Sequence, residues 1–139
     1  MAEKLDEPIH EVALGNETIL LVEDEEILLE SLSVLLSGNG YTVLTAKNGE
    51  EAVDVYRDRH HEIALVVTDV GLPKLSGWDA FVQMKKINPK VKAIVSSGYF
   101  DPKVKEEKSV DGISGYILKP YQPGEILRRV RLVLDTKMI

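Results

Sequence analysis

The sequence has 139 residues, a formal net charge of −6 at pH 7 and no cysteine, which is typical of one domain with a buried core and excludes disulfides and thiolate metal sites. The acidic balance argues against direct nucleic-acid binding, because phosphate groups repel a negative surface. No apolar run reaches the ~18 residues that span a bilayer, and the acidic N-terminus lacks a signal peptide's apolar core, so we expect a cytoplasmic domain without membrane contact.

The first 17 residues are predicted to form an acidic tail or linker, and residues 18–139 to form the folded domain. The tail carries five carboxylates against one lysine. It also contains Pro8 and the pair Gly15-Asn16, residue types that interrupt regular structure. We therefore expect the first strand to begin at Thr18.

Five short apolar segments alternate with five helical patterns along the domain. The predicted strands are residues 18–22, 41–45, 63–69, 92–96 and 115–118. The predicted helices cover about 25–37, 48–59, 76–88 and 101–110, with a last helix from Pro123. Strict alternation of strand and helix predicts an α/β fold, a parallel sheet with helices on both faces. Right-handed crossovers favour the flavodoxin-like strand order 2-1-3-4-5.

The polar groups that could carry chemistry lie at the carboxyl ends of the predicted strands 1, 3, 4 and 5, which are neighbours in this order. They are Glu23, Asp24, Asp69, Ser96, Ser97 and Lys119. Three carboxylates in one cleft repel unless a cation joins them, and Mg²⁺ prefers oxygen ligands. A lysine and a hydroxyl suit the oxygens of a phosphoryl group. The set therefore predicts phosphoryl transfer to a nucleophilic carboxylate.

Four segments resemble the receiver domain of two-component response regulators, and the similarity extends over about residues 18–136. They are Leu20–Glu25, Thr68–Pro73 with Gly77, Val95–Tyr99 and Gly115–Tyr121. The resemblance implies that Asp69 accepts a phosphoryl group from a histidine kinase or a histidine phosphotransfer domain. It also implies that Mg²⁺ is bound by Asp24, Asp69 and the backbone carbonyl of Gly71, with Glu23 acting mainly through water.

The same resemblance implies a switch. Lys119 would pair with Asp69 and then with the phosphoryl group, Ser97 would be the switching hydroxyl, and Tyr116 the switching aromatic. It also implies a cis Lys119-Pro120 peptide. A receiver supports its own phosphorylation and dephosphorylation without being an enzyme in its own right. The sequence departs from the family pattern where Glu23 replaces a common aspartate, Ser97 replaces a common threonine, and Gly71 offers only its carbonyl.

The stretch Gly15–Glu25 is also similar to the junction that precedes receivers in hybrid sensor histidine kinases, which predicts a domain of such a kinase. A stand-alone response regulator is the alternative. A phosphorylation-independent pseudo-receiver and an aspartate-nucleophile phosphatase of the haloacid dehalogenase type are further alternatives. The phosphatase needs a second aspartate two residues after the nucleophile, where Gly71 stands. A nucleotide-binding fold has little support, because no glycine-rich fingerprint follows the first strand.

Two surfaces are predicted to contact partners. In the first helix, the residues predicted to face the sheet are Ile27, Leu28, Leu32, Val34 and Leu35, and Leu29 and Leu36 are predicted to extend beyond it toward a partner helix. The helix predicted over 101–110 has only Val104 and Val110 as apolar anchors, so it is expected to open easily.

That helix, the fifth strand and the last helix form the predicted output or homodimer surface. On the last helix, the residues predicted to share the core face are Ile126, Leu127, Val130, Val133 and Leu134. The residues predicted to lie off this face are Arg128, Arg129, Arg131 and Leu132, with Leu132 as a candidate partner contact.

Overall fold

The computed structural model describes residues 14–98 and 113–136. The strands are β1 (Thr18–Val22), β2 (Thr42–Ala46), β3 (Ile63–Asp69), β4 (Ala93–Ser97) and β5 (Ile113–Leu118). The helices of the described residues are α1 (Glu26–Gly38), α2 (Gly49–Arg59), α3 (Gly77–Ile87) and α4 (Pro123–Asp135). The strands form one parallel sheet in the order β2-β1-β3-β4-β5, which confirms the predicted fold. The helix predicted over 101–110 lies outside the described residues.

The sheet separates two apolar layers, and this explains why residues 19–22 of β1 and residues 63–67 of β3 are all apolar. Successive strand residues point to opposite faces. Ile19 and Leu21 of β1 therefore pack with α1 and α4, whereas Leu20 and Val22 pack with α2 and α3. A strand covered on both faces has no position that favours a polar side chain. Within the described ranges, no helix combines the length and apolar character needed to cross a bilayer.

Helix α1 buries only part of the predicted stripe: Leu32 is buried, and Leu28 and Leu35 are partly buried against the same core cluster. Leu29, Leu32 and Leu36 are buried in the core, whereas Ile27 and Val34 are 85% and 67% exposed. The prediction that Leu29 and Leu36 extend beyond the core was therefore wrong, and so was the inward placement of Ile27 and Val34. A leucine-rich helix has two overlapping apolar arcs, and the close packing of α1 against β1 and α4 selects one of them.

Helix α4 follows its predicted pattern more closely. Ile126, Leu127, Val130 and Val133 are buried, and Leu134 is partly buried against the same cluster. Leu132 is 61% exposed, as predicted. The Lys92 ammonium, just before β4, donates to the carbonyl oxygens of Val133, Leu134 and Thr136 at 3.1, 3.1 and 2.6 Å. A cation at this position complements the partial negative charge of the carbonyls at the helix end.

Arg131 holds the start of the described chain against α4. Its Nη2 donates to Glu17 Oε2 at 2.6 Å and to Asp135 Oδ1 at 2.8 Å. Its Nη1 donates to the Leu14 carbonyl at 3.1 Å and to the Tyr41 hydroxyl at 3.3 Å. Residues 14–17, which were placed in the tail, thus contact the folded domain, whereas the boundary before Thr18 stays a prediction.

Removing this guanidinium is expected to destabilise the domain in a pH-dependent way. Arg131→Met should lower the free energy of unfolding by about 2 kcal/mol at pH 7, the magnitude of hydrogen bonds to charged groups. The hydrogen bond from Arg131 lowers the pKa of Glu17 below 4.5. The stabilisation is therefore complete above pH 4.5 and is lost as the pH falls through the lowered pKa.

Urea denaturation at pH 7 and in acid would measure this difference. Arg57→Met is the matched control, since the Arg57–Asp54 pair is exposed and should contribute well under ~1 kcal/mol. An equal loss in both variants, or a loss for Arg131→Met that does not shrink in acid, would contradict the prediction.

Candidate functional site

The carboxyl ends of β1 and β3 bring three carboxylates together. Glu23, Asp24 and Asp69 offer ligand oxygens that all lie within 4.8 Å of one another. Glu23 is buried, Asp69 is half-buried and Asp24 is exposed. The Lys119 ammonium, which follows β5, lies 3.0 Å from Glu23 Oε1 and 3.3 Å from Asp69 Oδ1. Four of the six predicted strand-end residues therefore meet in one cleft, namely Glu23, Asp24, Asp69 and Lys119.

The backbone around Asp69 explains why its carboxylate is held at this edge. The Val70 N–H donates to the Ser96 carbonyl at 2.9 Å, which continues the β3–β4 pairing past Asp69. The Gly77 N–H donates to the Val70 carbonyl at 3.0 Å. A Cβ atom on Gly77 would overlap the Asp69 carbonyl oxygen, so glycine is needed where α3 begins. The turn after Asp69 is thereby closed against the start of α3.

Among the described residues, the cleft holds more negative than positive charge, with three carboxylates and the Lys119 ammonium. Burial raises the pKa of Glu23 despite the hydrogen bond from Lys119. Burial alone would lower the pKa of Lys119, but the hydrogen bond to Glu23 and the charges of Asp69 and Glu23 raise it overall. The Lys119 ammonium therefore pairs with the carboxylates of both Glu23 and Asp69, and the Asp24 carboxylate lies beside them. Hard oxygen donors with excess negative charge are the donor set that suits a divalent cation such as Mg²⁺, so the described residues fit the predicted metal.

Ser97 and Gly71 lie beside this cluster, and Tyr116 lies on β5, where it pairs with Val95 of β4. Ser97 is the last residue of β4, and its carbonyl accepts from the Lys119 N–H at 2.8 Å. The neighbouring Ser96 is buried, and its hydroxyl donates to the Thr68 carbonyl at 3.5 Å. In the part of the chain that the structure describes, a Cβ atom added to Gly71 would have Asp69 Oδ2, at 3.8 Å, as its one non-adjacent neighbour within 4 Å. The roles predicted for Ser97, Tyr116 and Gly71 stay predictions.

The chain turns sharply beside Lys119. The Lys119-Pro120 peptide is cis, as the resemblance implies. Tyr121 follows and packs against the α1–α4 layer, where burial raises its pKa to about 12. Its phenol therefore stays neutral next to the charged cluster at physiological pH.

Sequence reasoning missed Trp78. Its ring centroid lies 6.1 Å from that of Tyr116, with the ring planes tilted by 52°. A tryptophan after the helix-starting Gly77 was visible in the sequence, but nothing local indicates that it reaches β5. The aromatic residue type at a helix start beside the site was the only signal.

The comparisons with known proteins agree with this geometry. The family model described as "Response regulator receiver domain" matches residues 19–131. The chain is 31% identical over 121 residues to sensor kinase CckA of Brucella abortus, covering 87% of this chain and 13% of that kinase. It is 31% identical over 116 residues to chemotaxis protein CheY of Thermotoga maritima, covering 83% of this chain and 95% of that protein.

Solved structures share the fold. A crystal structure of a response regulator receiver domain protein from Clostridium thermocellum has a TM-score of 0.80 and 28% sequence identity, covering 86% of this chain and 94% of that one. The chain spans only part of several relatives, for example 13% of CckA and 49% of the probable transcriptional regulator ycf27 of Porphyridium aerugineum. The match over residues 19–131, together with the shared sheet order, establishes that the chain belongs to the response regulator receiver domain family of two-component systems.

Proposed function

We propose that this domain accepts a phosphoryl group on Asp69 from the phosphohistidine of a histidine kinase or a histidine phosphotransfer domain. The observation that carries the proposal is the position of the Lys119 ammonium, 3.3 Å from Asp69 Oδ1 within the carboxylate cluster. Asp24, Asp69 and the Gly71 carbonyl would hold Mg²⁺, with Glu23 acting mainly through water. The domain is then the phosphoacceptor of the relay, in the cytoplasm, and not an enzyme in its own right.

The chemistry is a displacement at phosphorus. A carboxylate oxygen of Asp69 attacks, the new O–P bond forms, and the P–N bond to the partner's imidazole breaks. The imidazole nitrogen keeps the electron pair of the broken bond. Lys119 stabilises charge on the phosphoryl oxygens, and the Ser97 hydroxyl donates to one of them. A bound divalent cation supplies further neutralisation of that charge.

Phosphorylation would shift an equilibrium between two conformations. The new group carries about −1.5 to −2 charges, so it attracts Lys119 and the Ser97 hydroxyl. Tyr116 then turns toward the space that Ser97 leaves. Only the conformation that makes these contacts better is favoured by the phosphoryl group.

A small phosphodonor tests the proposal without the partner. Incubation with acetyl phosphate and Mg²⁺ should add one phosphoryl group, seen by intact-protein mass spectrometry, and this group should be labile in acid, as an acyl phosphate is. Phosphate that survives acid would indicate a different acceptor. A complete absence of labelling, with the fold intact, would favour the pseudo-receiver alternative.

The wider protein is proposed to be a hybrid sensor histidine kinase. The similarity to sensor kinase CckA supports this context. The similarity to CheY, which the chain covers almost completely, favours the stand-alone alternative. Sequencing the gene upstream decides between them, since only a hybrid has a kinase domain in the same reading frame.

The corrected face of α1 supplies the proposed docking surface for the histidine-bearing partner. Ile27 and Val34 are exposed apolar residues seven positions apart, and α1 begins beside Asp24. Ile27→Lys should slow phosphoryl transfer from the cognate kinase about tenfold or more, as expected for a central apolar contact. Acetyl phosphate labelling should be unchanged. Leu132→Lys, a matched change on α4, is the control, and equal slowing by both variants would exclude α1 as the specific surface.

We also propose that β5 and α4 form a surface for self-association. Leu118 and Leu132 are 54% and 61% exposed, and Arg128 and Arg129 lie on the same helix as Leu132. Sedimentation velocity with beryllofluoride, a phosphoryl mimic, tests this surface. Leu132→Glu should keep the domain monomeric under conditions where the wild type associates. If Leu132→Glu associates like the wild type, self-association does not occur through β5 and α4.

A further inference from the structure

Trp78 is the only tryptophan in the sequence, and its contact with Tyr116 links two elements of the site. The centroid separation of 6.1 Å and the tilt of 52° are those of a favourable aromatic pair. Trp78 is 8% exposed. Its indole is therefore a fixed part of the interior rather than a mobile surface group.

The backbone of Trp78 is tied to the phosphoacceptor strand. The preceding Gly77 donates to the Val70 carbonyl at 3.0 Å and packs against the Asp69 carbonyl. Tyr116, in contrast, belongs to β5 and pairs in register with Val95 of β4. The indole thus connects the end of β3 to a side chain two strands away.

Tyr116 and Trp78 lie on the same face of the sheet, so their contact depends on the orientation of the Tyr116 side chain. Ile117 packs in the layer formed with α1 and α4. Tyr116, the adjacent strand residue, consequently points to the opposite face, where α3 places Trp78. A rotation of Tyr116 toward Ser97 therefore has to change its packing against the indole.

We infer that Trp78 is a positioning residue that holds Tyr116 in the orientation seen here, so that occupation of Asp69 has to break this contact. The inference rests on the proposed function, since it assumes that Tyr116 moves when the phosphoryl group is present. It adds α3 to the switch, through a residue outside the three-carboxylate cluster.

Removing the indole should favour the activated conformation. Trp78→Leu is expected to bind beryllofluoride with Mg²⁺ about two- to twelvefold more tightly than the wild type, which corresponds to the worth of one aromatic pair. Trp78→Phe keeps a ring at this position and should show a smaller change. In a Tyr116→Leu background, the same Trp78→Leu change should have no effect on the affinity.

Fluorescence of the wild-type protein provides a second measurement that needs no variant of Trp78. Beryllofluoride should change the emission of Trp78 in the wild type, and Tyr116→Leu should abolish that change. The inference is supported if Trp78→Leu binds beryllofluoride more tightly than the wild type, if this gain is absent in the Tyr116→Leu background, and if the emission changes as described.

Two results would overturn it in distinguishable ways. If the wild type does not bind beryllofluoride with Mg²⁺, the proposed function fails and the inference fails with it. If the wild type binds, but Trp78→Leu leaves the affinity unchanged and the emission responds equally in Tyr116→Leu, Trp78 is only a packing residue and the proposed function stands.

Discussion

Asp69→Asn is expected to reduce labelling by acetyl phosphate to below about 1% of the wild-type level, because the amide removes the nucleophilic oxygen that forms the bond to phosphorus. Asparagine has nearly the same shape as aspartate, so the strand and its pairing with β4 should persist. Intact-protein mass spectrometry measures the labelled fraction, and circular dichroism shows whether the variant is folded.

Asp79→Asn is the matched control for this experiment. Asp79 is exposed in the first turn of α3 and lies outside the three-carboxylate cluster, so this variant should be labelled like the wild type. Undiminished, acid-labile labelling of a folded Asp69→Asn protein would show that another residue accepts the phosphoryl group.

Asp24→Asn is expected to weaken Mg²⁺ binding roughly tenfold or more, because a hard divalent cation loses one of its anionic ligands. Asp24 is exposed, so the loss of its charge should have little effect on folding. Titration calorimetry with MgCl₂ measures the affinity. Labelling by acetyl phosphate should fall in parallel at limiting Mg²⁺ and recover as the Mg²⁺ concentration is raised.

The control for the metal site is the neighbouring exposed carboxylate of Glu25, which lies outside the cluster. Glu25→Gln removes the same charge at nearly the same place. If both variants weaken Mg²⁺ binding equally, the effect is general surface electrostatics rather than the loss of a ligand.

Much of the site could be predicted because it depends on local patterns. The apolar run that ends at Asp69 indicates a buried parallel strand, and the ends of such strands meet at one edge of the sheet. The alternation of elements predicts the sheet order, and this order brings Glu23 and Lys119 close to Asp69. Glu23 and Lys119 approach each other although they lie 96 positions apart in the chain. The predicted helix starts at residues 48 and 76 agree with the structure, where the side chains of Asn48 and Ser76 accept from the N–H groups of Glu51 and Asp79.

The sequence alone thus determined the order of elements, the sheet topology and the residues at its carboxyl edge, because strand periodicity, caps and turns are properties of neighbouring residues. Only the tertiary structure decided which arc of α1 is buried, that Arg131 binds Glu17, and that Trp78 contacts Tyr116. Each of these depends on the rotation of a helix about its axis when it packs on the sheet. That rotation is set by close packing between segments far apart in the chain, for which hydrophobic periodicity allows more than one solution.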